Sequence, residues 1–78
     1  MLKIKMNGQA QVIEDRMVKD FGKDESGKEY SVTFKVFEDF DLDTNPDLSD
    51  AADWNSPVEV WDTEEQEEVE TKTVELEY

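Results

Sequence analysis

The sequence predicts a mainly β domain with one short helix, and three observations point to it. Tyr30, Val32, Phe34 and Val36 alternate with Ser31, Thr33 and Lys35, the period of a half-buried strand. Leu2, Ile4 and Met6 alternate with Lys3 and Lys5, and Val74, Leu76 and Tyr78 with Thr73, Glu75 and Glu77. Turn signals at Asn7-Gly8, Gly22 to Lys28 and Pro57 cut the chain into short segments.

Taken in order, the first strand runs into Asn7-Gly8, a type I′ hairpin signal because both central positions need positive φ. A return strand is expected from Ala10 and Val12. Ile13 to Phe21 fits a bulged strand or a short helix, and the Gly-rich turn at Gly22–Lys28 favours strand. The Tyr30–Val36 strand follows, with Phe37 and Phe40 outside its alternation. Residues 38–47 read as a loop. Asn45 as N-cap and Pro46 as first helical residue predict a short helix from Pro46 to Trp54. On that helix Leu48, Ala51 and Ala52 face inward, and Asp47, Asp50 and Asp53 share the outer side. Val58, Val60 and Trp61 predict a fourth strand, residues 63–70 a charged turn, and Val74 to Tyr78 a last strand. The expected architecture is mainly β (α+β): a small antiparallel sheet, or an OB-like five-stranded barrel with one short helix between strands 3 and 4.

Seventy-eight residues make one domain, near the size where a single core only just suffices. The chain has no cysteine, which removes disulfides and thiolate metal sites, and no histidine, the commonest general base. The opening Met-Leu-Lys-Ile-Lys carries no apolar signal region, so a cytoplasmic location is expected, with no membrane contact.

Charge carries the most information. Residues 1–37 hold seven basic and six acidic side chains, whereas residues 38–78 hold sixteen acidic ones and a single lysine, Lys72. The whole net charge of −14 therefore belongs to the second half. It exceeds the magnitude of roughly 2–8 that solubility asks of a small domain. Concentrating it opposes folding by self-repulsion, so a basic protein partner is the expected reason for it. The candidate partner-binding residues are Glu38, Asp39, Asp41, Asp43, Asp47, Asp50, Asp53, Glu59, Asp62, Glu64, Glu65, Glu67, Glu68, Glu70, Glu75 and Glu77. Glu14, Asp15 and Asp20 of the balanced half are expected to be exposed as well.

Other chemistries fit less well. Asp39, Asp41, Asp43 and Asn45 follow the spacing of an EF-hand loop, but Thr44 stands where glycine is needed and Pro46 interrupts it. Phe34, Phe37, Trp54 and Trp61 are candidate stacking platforms for single-stranded nucleic acid, but the charge of the second half removes the attraction such binding needs. Carboxylate pairs occur by chance at this abundance and no nucleophile or phosphate loop accompanies them, so no catalytic residue is expected. No metal, cofactor or direct nucleic-acid ligand is expected either.

In size and charge segregation the chain resembles, as a class, the nucleic-acid-mimicking inhibitors of phages and mobile elements, of the anti-CRISPR and anti-restriction kind. The resemblance rests on the acidic stretch 38–78 and on no motif. It implies a stoichiometric inhibitor, acting in the host cytoplasm, whose carboxylates replace phosphates in the basic groove of a nucleic-acid-binding enzyme or complex. The alternative reading is a non-enzymatic interaction module docking on a basic partner.

Overall fold

The computed structural model describes residues 1–14, 16–44 and 47–78. Among these the chain forms seven strands: β1 (Leu2–Met6), β2 (Gln11–Ile13), β3 (Met17–Lys23), β4 (Glu29–Lys35), β5 (Glu59–Asp62), β6 (Glu67–Val69) and β7 (Val74–Glu77). They make one sheet in the order β6-β5-β4-β3-β1-β7, with β2 also on β3. All pairs are antiparallel except β1 with β7. The architecture is therefore mainly β as expected, with seven strands in place of five and a single 3-10 turn, Thr71–Thr73, as its only helical element among the described residues.

The sheet is curled into a half-barrel, and its connections explain why. Only residues 70–73 join β6 at one end of the order to β7 at the other. Six strands laid flat would put those ends about 24 Å apart, while the link reaches at most about 18 Å. The sheet has to bend until its ends approach. Its inner face carries the core: Ile4, Met6, Val18, Tyr30, Val32, Phe34, Val36 and Val60, closed by Ala51 and Ala52 from the β4–β5 connection.

The Asn7-Gly8 hairpin does not form. Both β1 and β2 run antiparallel to β3, and because β4 occupies the other edge of β3 they share one edge, end to end. Met6 faces Gly22 and Gln11 faces Lys19, so Asn7–Ala10 stand opposite only Asp20 and Phe21. Gly8 does take a positive φ of 73°. The reversal fails because Asp20 captures the segment: its carboxylate accepts from Gly8 N–H at 2.9 Å and Gln9 N–H at 3.4 Å, while Asn7 N–H donates to the Phe21 carbonyl. The chain bulges and carries on. Asp20 is consequently buried, 3% exposed, contrary to the exposure expected of it; Asp15 lies outside the described residues.

The reversals lie elsewhere. β2 pairs back onto β3, with Arg16 just before β3 at φ 56°. β3 extends through Gly22 and Lys23, so the turn into β4 begins at Asp24 rather than at Gly22. Asp24 organises it, accepting from Ser26 N–H, Ser26 Oγ, Lys28 N–H and Tyr30 Oη. Residues 63–66 connect β5 to β6, and Glu67–Val69, expected as part of a charged turn, is a strand paired to Val60–Asp62. Its carboxylates hide the strand from any apolar pattern, yet backbone pairing does not require one.

The expected helix is absent over residues 47–54, and Asn45 and Pro46 lie outside the described residues. Side chains compete with the helix here: the Asp47 and Asp53 carboxylates accept from the N–H groups of Ser49 and Asn55, two residues on. Phe37 N–H takes the Ala51 carbonyl.

Gly22 sets the distance between β1 and β3. A Cβ there would lie 2.6 Å from both Ile4 Cγ2 and the Lys5 carbonyl oxygen. Gly22→Ala should lower unfolding free energy by about 1–3 kcal/mol, read by urea denaturation. A variant as stable as the wild type would show that β1 can move away freely.

Candidate functional site

Fifteen of the sixteen nominated carboxylates are exposed, all except Asp62. The fold does not gather them into one row. Glu38, Asp39, Asp41, Asp43, Asp47, Asp50 and Asp53 belong to the β4–β5 connection. Glu64, Glu65, Glu67, Glu68 and Glu70 cluster on the β5–β6 hairpin and the link after it, at the opposite end of β5. Glu75 and Glu77 project from β7 between half-buried Val74 and Leu76, as the alternation predicted.

The outer face of the sheet is not acidic. Register places Lys3 beside Glu75, Lys5 beside Glu77 and Lys23, Lys23 beside Glu29, and Thr33 between Lys19 and Glu59. Lys3 and Glu75 approach to 4.0 Å. Cross-strand pairing of opposite charges thus offsets the strand carboxylates. Glu59 does not stand in line with Glu75 and Glu77, because it lies on β5 beside Thr33. The remaining carboxylates belong to the β4–β5 connection and the β5–β6 hairpin, where no lysine or arginine occurs between Val36 and Thr71 and Lys28 reaches Glu65 at 3.6 Å.

Several loop carboxylates are held in place. Asp41, Asp47 and Asp53 each accept from the N–H two residues on, at 2.9, 3.0 and 3.1 Å. A hydrogen bond from the Thr44 side chain, then one from Asp43 N–H, keep the Asp41 pKa below the ordinary carboxylate value. Hydrogen bonds from Ser49, main chain and then side chain, do the same for Asp47. Arg16 anchors the start of the loop, donating to the carbonyl oxygens of Phe37 and Phe40 at 2.6 and 2.7 Å. Sequence reasoning missed this role, and no local pattern signals it, because donor and acceptors lie more than twenty residues apart.

The same loop exposes apolar surface. Phe37 is 46% and Val58 49% exposed. Phe37 lines a cleft of about 290 Å³ with Lys35, Val36, Glu38, Asp53 and Ser56. Of the other nominated aromatics, Phe34 is buried, Trp54 packs edge-on against it at 4.8 Å, and Trp61 stands exposed on the outer face beside Ser31.

Asp62 has a different job from the one expected of it. Only 4% exposed, it pairs with Lys28 Nζ at 2.6 Å and accepts from Glu64 and Glu65 N–H at 3.0 and 3.1 Å. It is engaged in forming the hairpin and is not available to a partner.

Among the described residues no group of three or more acidic side chains could hold a metal ion, and no helix is long and apolar enough to cross a membrane. No protein-family model, curated protein or solved structure matches the chain.

The Asp62–Lys28 pair makes stability depend on pH. The hydrogen bond from Lys28 lowers the Asp62 pKa, more than burial raises it. Its stabilisation is therefore complete above the unfolded carboxylate pKa of about 3.9 and is lost as pH falls through the lower folded value. Asp62→Asn should lower Tm at pH 7, and the gap to wild type should close toward pH 2. Thermal melts at both pH values check this; an unchanged gap would assign the effect to hydrogen bonding alone.

Proposed function

We propose that the chain is a non-catalytic binding protein that docks the acidic β4–β5 connection on a basic surface of another protein. The observation that carries this is exposed Phe37 flanked by Glu38 and Asp53, in a cleft that Lys35 also lines, on a connection that itself contains no lysine or arginine. An apolar centre inside a charged rim is the anatomy of a protein-docking patch. Carboxylates fixed by Asx turns lose little freedom on binding, which favours affinity.

The sharper form of the proposal is nucleic-acid mimicry, in which the partner's surface ordinarily holds DNA or RNA and docking inhibits it. The net charge of −14 supports that form. The lysines between the carboxylates of the outer face favour the broader docking reading, because a mimic would present uninterrupted anionic rows.

Charge reversal tests both. Glu38, Asp50 and Asp53 are reversed to lysine as one set, Glu64, Glu67 and Glu68 as a second, and exposed Glu14, Glu25 and Glu29 as a control of equal charge change. Affinity for a partner captured at low salt and purified should fall at least about tenfold for the first set, and the loss should shrink as salt rises. Competition by duplex DNA would support mimicry; docking unaffected by DNA would support the broader form. Equal losses from all three sets would refute a defined patch.

A further inference from the structure

A second cleft, of about 500 Å³, opens where Gly8–Ala10 meet the β4–β5 connection, and it differs from the Phe37 surface in having a charged floor. It is lined by Asp20, Leu48, Trp54 and Tyr78, among others. Its volume falls within the range of about 300–1,000 Å³ typical of small-ligand sites.

The floor is unusual. Asp20 is 3% exposed, yet among the described residues no lysine or arginine forms an ion pair with it. Among the described residues its carboxylate accepts from main-chain N–H groups, those of Gly8, Gln9 and Phe21 at 2.9, 3.4 and 2.7 Å. A carboxylate has about four acceptor positions, so capacity remains. Lys5 donates to the Tyr78 main-chain oxygen at 3.0 Å and does not line the cleft.

The walls are aromatic. Trp54 is locked by its Nε1–H bond to the Ser49 carbonyl at 2.8 Å and by its edge contact with Phe34. The Tyr78 hydroxyl donates to the Trp54 carbonyl oxygen, which ties the two walls together. Burial pushes the Tyr78 pKa up to about 12, and the charges of Asp20 and Asp53 push in the same direction.

We infer that this cleft is a binding site for a single organic cation, an alkylammonium or guanidinium group, held between the Trp54 and Tyr78 side chains and the Asp20 carboxylate. A buried carboxylate combined with aromatic walls attracts a weakly hydrated cation and repels anions. The inference rests on the docking reading only for the source of the cation, a partner's side chain or a free amine.

The test uses the full chain with Trp61→Phe, so that Trp54 alone reports by fluorescence, together with the amide signals of Gly8 and Gln9. The probes are choline, N-acetyl-lysine methylamide, N-acetyl-arginine methylamide and 3,3-dimethylbutan-1-ol, the neutral isostere of choline. At least one cation should bind saturably and about tenfold more tightly than the neutral isostere. Tyr78→Leu, at a half-exposed position, should weaken it about fivefold while circular dichroism stays unchanged. Preference for either amino-acid amide supports a partner side chain as the source, and preference for choline supports a free amine. Equal binding of the neutral isostere, or no saturable change in the folded protein up to about 100 mM of any cation, about two decades above a 1 mM Kd at about −4 kcal/mol, overturns the inference. Loss of this site with the Glu38–Asp50–Asp53 docking intact would leave the docking reading standing. The converse result would overturn docking alone.

Discussion

The carboxylate of Asp20 is the interaction on which the rest of the fold depends. By taking the N–H groups of Gly8, Gln9 and Phe21 it turns a segment inclined to reverse into an offset within a continuing edge. The offset places four residues, Asn7–Ala10, against two, Asp20 and Phe21. Because the excess is even, β1 and β2 keep the same alternation relative to β3, although all three residues of β2 are exposed. β1 is thereby free to receive β7 on its outer side, and that pairing, together with the short link from β6, forces the curl. A hairpin at Asn7-Gly8 would have put β2 where β7 now lies.

A second constraint is the management of negative charge. A net charge of −14 on a small sheet invites repulsion between the strands that carry carboxylates. The fold answers by placing lysines of β1 and β3 beside the glutamates of β7 and β4, and by burying Asp62 against Lys28. What is left over stands on exposed residues, where solvent screens it. The anionic character of the surface is thus a property of the β4–β5 connection and the β5–β6 hairpin.

Aromatic placement follows the same division. Phe34 sits in the core and Trp54 closes it from above, so the ring that walls the cleft is also one that the core holds still. Phe37, one residue past the buried Val36, has left the sheet and faces water. The exposed Phe37 surface is built on residues whose backbone is tied down by hydrogen bonds, with Phe37 N–H on the Ala51 carbonyl and Arg16 on the Phe37 and Phe40 carbonyls.

The sequence by itself determined the β class, the strands expected over Leu2–Met6, Tyr30–Val36, Val58–Trp61 and Val74–Tyr78, which form as Leu2–Met6, Glu29–Lys35, Glu59–Asp62 and Val74–Glu77, and the alternation that turns Glu75 and Glu77 outward. These are local properties, written in a period of two and in side chains that must be either buried or solvated. It also located the charge, since a count of carboxylates needs no coordinates. Tertiary structure decided the remainder. Whether Asn7-Gly8 reverses depends on a carboxylate more than ten residues away, whether residues 47–54 form a helix depends on competition from Asp47 and Asp53, and whether Asp62 is a surface charge depends on Lys28 across the strand pair. A local signal sets a preference worth about 1 kcal/mol. A buried carboxylate that must find hydrogen-bond donors outweighs it, and where those donors lie is known only once the chain has folded.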